Sequence, residues 1–100
     1  MVHLVSTMTV ADVDGFIEGA KAYGQDKNYG QEHNNEWGVA ECNIYRDVDQ
    51  DTVIIVNAYK TLAEAQKHKA DIEAPENKAG LEQMGIKSFD IWLVERRVAL

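Results

Sequence analysis

The fold is decided by the stretch from residue 37 to residue 59, WGVAECNIYRDVDQDTVIIVNAY. Residues 37–46 and 52–59 are rich in the β-branched and aromatic side chains that favour strands. The acidic segment 47–51 between them has the composition of a turn. Two strands joined by about five turn residues pair as an antiparallel hairpin. The sequence therefore predicts a β-hairpin at the centre of the chain.

The residues before this hairpin predict one strand and one helix. Residues 2–8 have the pattern of a strand, and apolar side chains then recur at helical spacing over residues 13–20. Thr9 and Asp12 have the spacing of a capping box, so we expect the helix to begin beside them. Gly24 is expected to end it.

The residues after the hairpin repeat this order. Residues 61–73 form a second predicted helix. Thr61 and the glutamate three residues later have the spacing of a capping box at its start. Pro75 interrupts this helix because proline removes a hydrogen bond and disfavours α conformation before it. A shorter helix is expected over about 76–84, and residues 87–95 form the last predicted strand.

These elements give the order β-α-β-β-α-β over a single predicted domain, residues 1–100. Two β-α-β halves joined by a hairpin form a four-stranded antiparallel sheet with both helices on one face. This is the ferredoxin-like arrangement, an α+β fold. A chain of 100 residues leaves no room for a second domain of ordinary size.

The second face of the predicted sheet is also apolar. In residues 52–59, Val53 and Ile55 lie on one side while Ile54 and Val56 lie on the other. In the last predicted strand, Trp92 likewise lies on the face opposite to that of its two apolar neighbours at positions 91 and 93. A sheet with one solvated face alternates apolar and polar residues, and here the alternation is largely missing. We therefore predict a two-fold homodimer in which two sheets close face to face as a barrel.

The charge of the chain limits the classes of partner. The formal net charge is −7, and such an acidic surface repels nucleic acids and anionic membranes. The single cysteine, Cys42, allows no intramolecular disulfide, which fits a reducing compartment. It is expected to be a buried, inert thiol. No signal peptide or membrane span is recognisable, so a cytoplasmic protein is expected.

The element order and the segment NAYKTLAEAQKH (57–68) together resemble a known superfamily. The chain is similar to the dimeric α/β-barrel proteins, and within them to the antibiotic biosynthesis monooxygenase type. Members often carry an acidic residue, an aromatic residue two positions later and a histidine eleven positions from the start. The three positions of this pattern are occupied in the present chain by Asn57, Tyr59 and His68, and Pro75 follows them. Asn57 replaces the usual acidic residue.

The resemblance implies a function and its alternatives. It implies a homodimer that binds a small molecule in a pocket between helices and sheet. The implied activity is a monooxygenase that acts on an aromatic or polyketide-like substrate without a bound cofactor. The superfamily also contains isomerases, cyclases, haem-degrading enzymes and non-catalytic stress-related or ligand-binding proteins. The fold alone does not choose among them.

Two polar residues of the second strand are candidates for the pocket. If side chains alternate regularly from Trp37, the residues that share one face are Trp37, Val39, Glu41, Asn43 and Tyr45. Glu41 would be a general base and Asn43 a polar anchor. The alternative is an edge position, or an ion pair across the dimer with one of three arginines: Arg46, Arg96 and Arg97.

The remaining candidates come from the third strand, the second helix and the long polar segment. His68 is expected to be a base or proton shuttle, although its neighbours QKHK also fit a solvated helix face. Asn57 would bind a substrate oxygen, or serve only as a structural hydrogen-bonding group. Tyr59 and Trp37 would form walls of the pocket, or belong to the core.

His33 lies in the polar segment from residue 24 to residue 38 and could cover the pocket. An exposed histidine in a loop is the alternative. The three histidines, His3, His33 and His68, show no short ligand spacing, so we expect no metal site.

Overall fold

The computed structural model describes residues 2–25 and 36–100, in which four strands form one antiparallel sheet and three α-helices accompany it. The elements are β1 (Val2–Val10), α1 (Val13–Gln25), β2 (Val39–Arg46), β3 (Thr52–Tyr59), α2 (Leu62–Glu73), a 3-10 turn (Pro75–Asn77), α3 (Lys78–Gln83) and β4 (Ile86–Glu95). The predicted β-α-β-β-α-β order is confirmed, with the second helix split as expected.

The strands lie side by side in the order β2-β3-β1-β4. Each neighbouring pair is antiparallel. This order and these directions define the ferredoxin-like fold, so the predicted fold class is confirmed. The two central strands are β1 and β3, while β2 and β4 form the edges of the sheet.

The start of α1 differs from the sequence prediction. Strand β1 continues through Val10, and the Thr9 hydroxyl accepts a hydrogen bond from the Ser88 hydroxyl of β4 at 2.9 Å. Asp12 caps the helix instead, because its Oδ1 accepts from the Gly15 amide at 3.1 Å. Thr9 therefore belongs to β1 and does not cap the helix.

The start of α2 follows the prediction. The Thr61 hydroxyl accepts from the Glu64 amide at 3.2 Å and donates to the Glu64 carboxylate at 2.9 Å. The helix ends at Glu73 because Ala74, before Pro75, is extended with φ −60° and ψ 135°. Such a break ends the helix at the position that the proline predicted.

One face of the sheet carries the core and is covered by α1 and α2. Toward α2 lie the buried residues Leu4, Val39, Tyr59 and Ala65. Toward α1 lie the buried residues Met8, Val10, Val13 and Val53. Burial of this apolar surface is the main force that holds the helices against the sheet.

The opposite face, called here the back face, is covered by no element of residues 2–25 and 36–100. The pairing register places on it Val5, Val56, Trp92 and Ile54, together with polar side chains such as Asp90. Trp92 is 48% exposed. An apolar sheet face of this kind marks an interaction surface. Among the described residues, no helix has the length and hydropathy needed to cross a bilayer.

A β-bulge interrupts the start of β2. Val39 pairs with Tyr59, but Glu41 pairs with Ala58, so Ala40 is an extra residue in β2. An extra residue reverses the face of every side chain beyond it. Val39 therefore points to the helices while Glu41 points to the back face. The prediction that these two side chains share a face was wrong.

Candidate functional site

A cavity of about 960 Å³ lies between α1 and the sheet. Its described walls are mostly apolar: Phe16, Ile44, Ile55 and Met84 contribute to them. This volume is at the upper end of the range for pockets that hold drug-sized ligands. The cavity is thus large enough for a molecule with several fused rings.

The polar part of the wall comes from β3 and α2. Asn57 and His68 both line the cavity. Behind them the fully buried Tyr59 joins the two residues. Asn57 Nδ2 donates to the Tyr59 hydroxyl at 3.4 Å, and this hydroxyl lies 2.5 Å from His68 Nδ1. The three residues named by the family register form one hydrogen-bonded chain.

His68 is held firmly from a second direction. Trp37 stacks on its ring with centroids 4.8 Å apart and an interplanar angle of 15°. The Lys67 ammonium lies 5.6 Å from the Trp37 ring centroid, within the range of a cation–π contact. The His68 side chain is only 7% exposed. It is thus a positioned core residue, and the alternative of a solvated helix face was wrong.

The protonation of Tyr59 follows from its surroundings. Burial raises the pKa of the Tyr59 phenol, and the hydrogen bond from Asn57 offsets part of this shift. The phenol is therefore neutral at physiological pH. A neutral tyrosine hydroxyl both donates and accepts, so its contact with Nδ1 accommodates either tautomer of His68.

One amide atom of Asn57 has no hydrogen-bond partner in the part of the chain that the structure describes. Its Oδ1 is buried and accepts no hydrogen bond from any described residue. A buried polar atom without a partner costs free energy, and such atoms are few in native proteins. Because the same side chain lines the cavity, this oxygen is suited to accept a hydrogen bond from a ligand.

The charges around the cavity favour neutral or acidic ligands. Lys21 is a cation in the described wall, where no carboxylate is present. Cys42 also lines the cavity, and the residue is exposed, contrary to the expectation of a buried thiol. The walls still desolvate it enough to raise the pKa of the Cys42 thiol, which keeps the sulfur protonated at neutral pH.

Glu41 and Asn43 do not line the cavity. The bulge turns both toward the back face, where Asn43 Nδ2 donates to the Glu41 carboxylate at 3.3 Å. Both are exposed on the edge strand β2. The edge position, which was the alternative for Glu41, is the one the structure shows. Cys42, between them in sequence, takes the place expected for Glu41.

The other aromatic residues and histidines of the strands do not lie at the cavity. Tyr45 and Trp92 lie on the back face, as does His3. His33 lies outside the described residues. Sequence reasoning missed the α1 contribution to the wall, of which Gly19 and Tyr23 are part. A signal for it was the helical spacing of Gly15 and Gly19, whereas the helix was predicted from the apolar residues of this segment alone.

Metal-ligating side chains are scattered in the same way. Within residues 2–25 and 36–100, no three His, Cys, Asp or Glu side chains come close enough to hold a metal ion. The polar side-chain groups of the described wall are an amide, a thiol, an imidazole, a phenol and one ammonium. This set suits hydrogen bonding to an organic ligand.

Solved structures with this fold cover nearly the whole chain. One is a monooxygenase from the gene ActVA-Orf6 of Streptomyces coelicolor, in complex with the ligand nanaomycin D, with TM-score 0.69 and 16% identity over 99% of this chain and 89% of that one. Another is a mutant of SnoaB, a cofactor-independent oxygenase from Streptomyces nogalater, with TM-score 0.59 and 13% identity over 99% and 95% of the two chains.

A third is a dimeric ferredoxin-like protein from an uncultured marine organism, with TM-score 0.66 and 12% identity over 99% of this chain and 92% of that one. No protein-family model matches the chain, and no curated protein matches it. At these identities the likeness shows the fold. The ferredoxin-like fold implied by the resemblance to antibiotic biosynthesis monooxygenases is confirmed over the full length.

Proposed function

We propose that the chain is a cofactor-independent monooxygenase that binds an aromatic or polyketide-like molecule in the cavity beside α1. The observation that carries the proposal is the Asn57–Tyr59–His68 chain in the wall of an otherwise apolar cavity. Oxygenation without a cofactor requires a substrate that gives up a proton and then reduces O₂ itself. The protein must then supply a base and a group that holds the resulting anion.

His68 is the base in this proposal. Tyr59 engages Nδ1, so we assign proton uptake to the other ring nitrogen, Nε2, in the tautomer whose Nδ1–H donates to the Tyr59 oxygen. Tyr59 is a positioning residue because it is buried behind the wall. Asn57 Oδ1 accepts a hydrogen bond from a substrate hydroxyl, and Lys21 favours the anionic form of the substrate.

The proposed oxygenation conserves atoms and electrons when the substrate has an acidic ring CH₂ group. His68 takes one proton, and the carbanion transfers electrons to O₂ as a C–O bond forms. Protonation by His68 gives a hydroperoxide, whose O–O bond breaks as water leaves and the carbon becomes a carbonyl. One oxygen atom of O₂ enters the product and the other becomes water.

A homodimer and a cytoplasmic location belong to the same proposal. A second copy covers the apolar back face by two-fold symmetry, as the face-to-face closing of two sheets requires. The dimeric ferredoxin-like protein with the same fold supports this assembly. The cytoplasmic location rests on the absence of cysteine pairs in the sequence.

The test is O₂ uptake with dithranol, a tricyclic phenol with an acidic ring CH₂ group, in a chelator-treated buffer without flavin or nicotinamide. We expect uptake of O₂ together with the appearance of the quinone danthron, above the protein-free rate. His68→Gln should lower the protein-dependent rate roughly 100-fold, the scale of general-base catalysis.

Two results would contradict the proposal in different ways. Binding of dithranol without O₂ uptake would support the non-catalytic ligand-binding alternative. An unchanged rate in His68→Gln would exclude His68 as the base. Leu62→Gln, a change at a half-exposed position of the same helix, is the matched control and should retain the full rate.

A further inference from the structure

Helix α1 contains glycines that differ in their structural reasons. A Cβ on Gly15 would lie 2.4 Å from the Asp12 carboxylate that caps the helix, so the cap explains this glycine. A Cβ on Gly19 meets no atom within 4 Å outside the backbone of its own helix. The φ of Gly19 is ordinary for a helix. Neither packing nor backbone conformation among the described residues requires glycine at position 19.

Glycine at such a position lowers the stability of the helix. Apart from proline, it is the least favourable residue in a helix interior, because its backbone loses the most freedom on folding. Alanine would fit the space at position 19. The presence of glycine there is explained if a bound molecule occupies the place of the side chain.

The surroundings of Gly19 show what that molecule would contact. Gly19 lines the cavity, and so do Phe16 one turn before it and Tyr23 one turn after it. The i, i+3 and i+7 positions lie along one face of a helix. Ile55 of β3 lines the same cavity from the sheet. Between two aromatic side chains, α1 thus has a gap through which a ring can reach the helix backbone.

We propose that Gly19 is a specificity-determining residue that admits the far ring of a flat, fused-ring ligand against the backbone of α1. The inference rests on the proposed function, in which the near ring carries the hydroxyl bound by Asn57. A ligand with one or two rings, held at Asn57, does not need the gap. We expect only a longer fused system to extend to α1.

The test compares two probes on matched variants by calorimetric titration. Danthron has three fused rings, and alpha-naphthol has two. Gly19→Ala should weaken danthron binding about tenfold, because one methyl group then overlaps the bound ring. It should leave alpha-naphthol binding within about twofold of the wild type.

Gly80→Ala is the control for the helix effect. Gly80 lies in α3, has equally open space around its Cβ position and does not line the cavity. Both alanine variants should raise the thermal midpoint by about 4 °C or more, as expected for a helix-interior glycine replaced by alanine. Only Gly19→Ala should affect danthron binding. Circular dichroism verifies that each variant is folded.

The outcomes separate this inference from the proposed function. Danthron binding that weakens in Asn57→Ala but not in Gly19→Ala would overturn the role of Gly19 and leave the cavity as the binding site. Equal weakening of both probes by Gly19→Ala would also overturn it. Failure of the wild type to bind either probe would contradict both proposals.

Discussion

The hydroxyl of Tyr59 lies 2.5 Å from Nδ1 of His68, and this contact joins β3 to α2 inside the core. Tyr59 is fully buried and His68 is nearly so. Asn57 extends the contact to the cavity wall. The same three residues thus connect the packing of the helix on the sheet with the polar end of the cavity. The stability of the fold and the chemistry of the cavity therefore depend on the same three side chains.

Tyr59→Phe and His68→Leu should each destabilise the fold by about 1–3 kcal/mol, because each leaves a buried polar group without its partner. The double variant should cost less than the sum of the two, with a coupling energy of about 1 kcal/mol. Urea unfolding of the four proteins measures this cycle. Strict additivity would show that the 2.5 Å contact contributes nothing to stability.

Alkaline pH should destabilise the protein through Tyr59. Because the pKa of this phenol is raised above its ordinary value of 10.0, the folded state keeps the proton to higher pH than the unfolded state. The stabilisation is complete below pH 10 and is lost as the pH rises through the folded pKa. Tyr59→Phe should therefore show a shallower loss of stability above about pH 10 than its parent.

A background substitution and a control variant make this pH measurement specific to Tyr59. Burial also raises the pKa of the Cys42 thiol, so the comparison is made on a Cys42→Ser background. Tyr23→Phe removes a phenol that is 42% exposed and should retain the steep parental slope. Parallel curves for the parent and Tyr59→Phe would contradict the assignment.

The back face should control assembly. Val56→Glu places a charge at the centre of this face and should convert a dimer to a monomer in sedimentation velocity at micromolar concentration. Val48→Glu makes the same change in the hairpin turn, at a position 88% exposed, and should remain dimeric. A wild-type chain that sediments as a monomer would contradict the proposed dimer.

Glu41→Gln should leave dithranol binding and O₂ uptake within about twofold of the wild type, because Glu41 lies on the far side of the sheet from the cavity. Asn57→Ala should lower binding about tenfold, the value of a hydrogen bond to a buried oxygen that has no other partner among the described residues. A strong loss in Glu41→Gln with little effect in Asn57→Ala would relocate the site to the back face.

The element order could be predicted from the sequence because each element carries local signals. Thr61, Pro75 and the run at 52–59 each determine structure within a few residues. The bulge at Ala40 has no such signal, since an extra residue in an edge strand needs no special side chain. This one residue exchanges the faces of Glu41 and Cys42, so Glu41, the expected base, lies on the back face and not beside the cavity.

The site was predictable only where a longer pattern connected its parts. The spacing of Asn57, Tyr59 and His68 matched a known register, and the structure brings these residues together. The burial of His68 could not be inferred from its polar neighbours, because it depends on Trp37, which stacks on it from outside the helix. The role proposed for Gly19 could not be predicted from the sequence, because it depends on the open space around its Cβ position in the fold.

The central claim is that the cavity beside Asn57 and His68 is the ligand site, and nitrogen–proton NMR tests it most directly. Addition of danthron to labelled protein should shift the side-chain amide of Asn57 and the backbone amides of Cys42 and Gly19, which line the cavity. The indole signal of Trp92, on the back face, should stay in place. Shifts at Trp92 with an unmoved Asn57 amide would contradict the account.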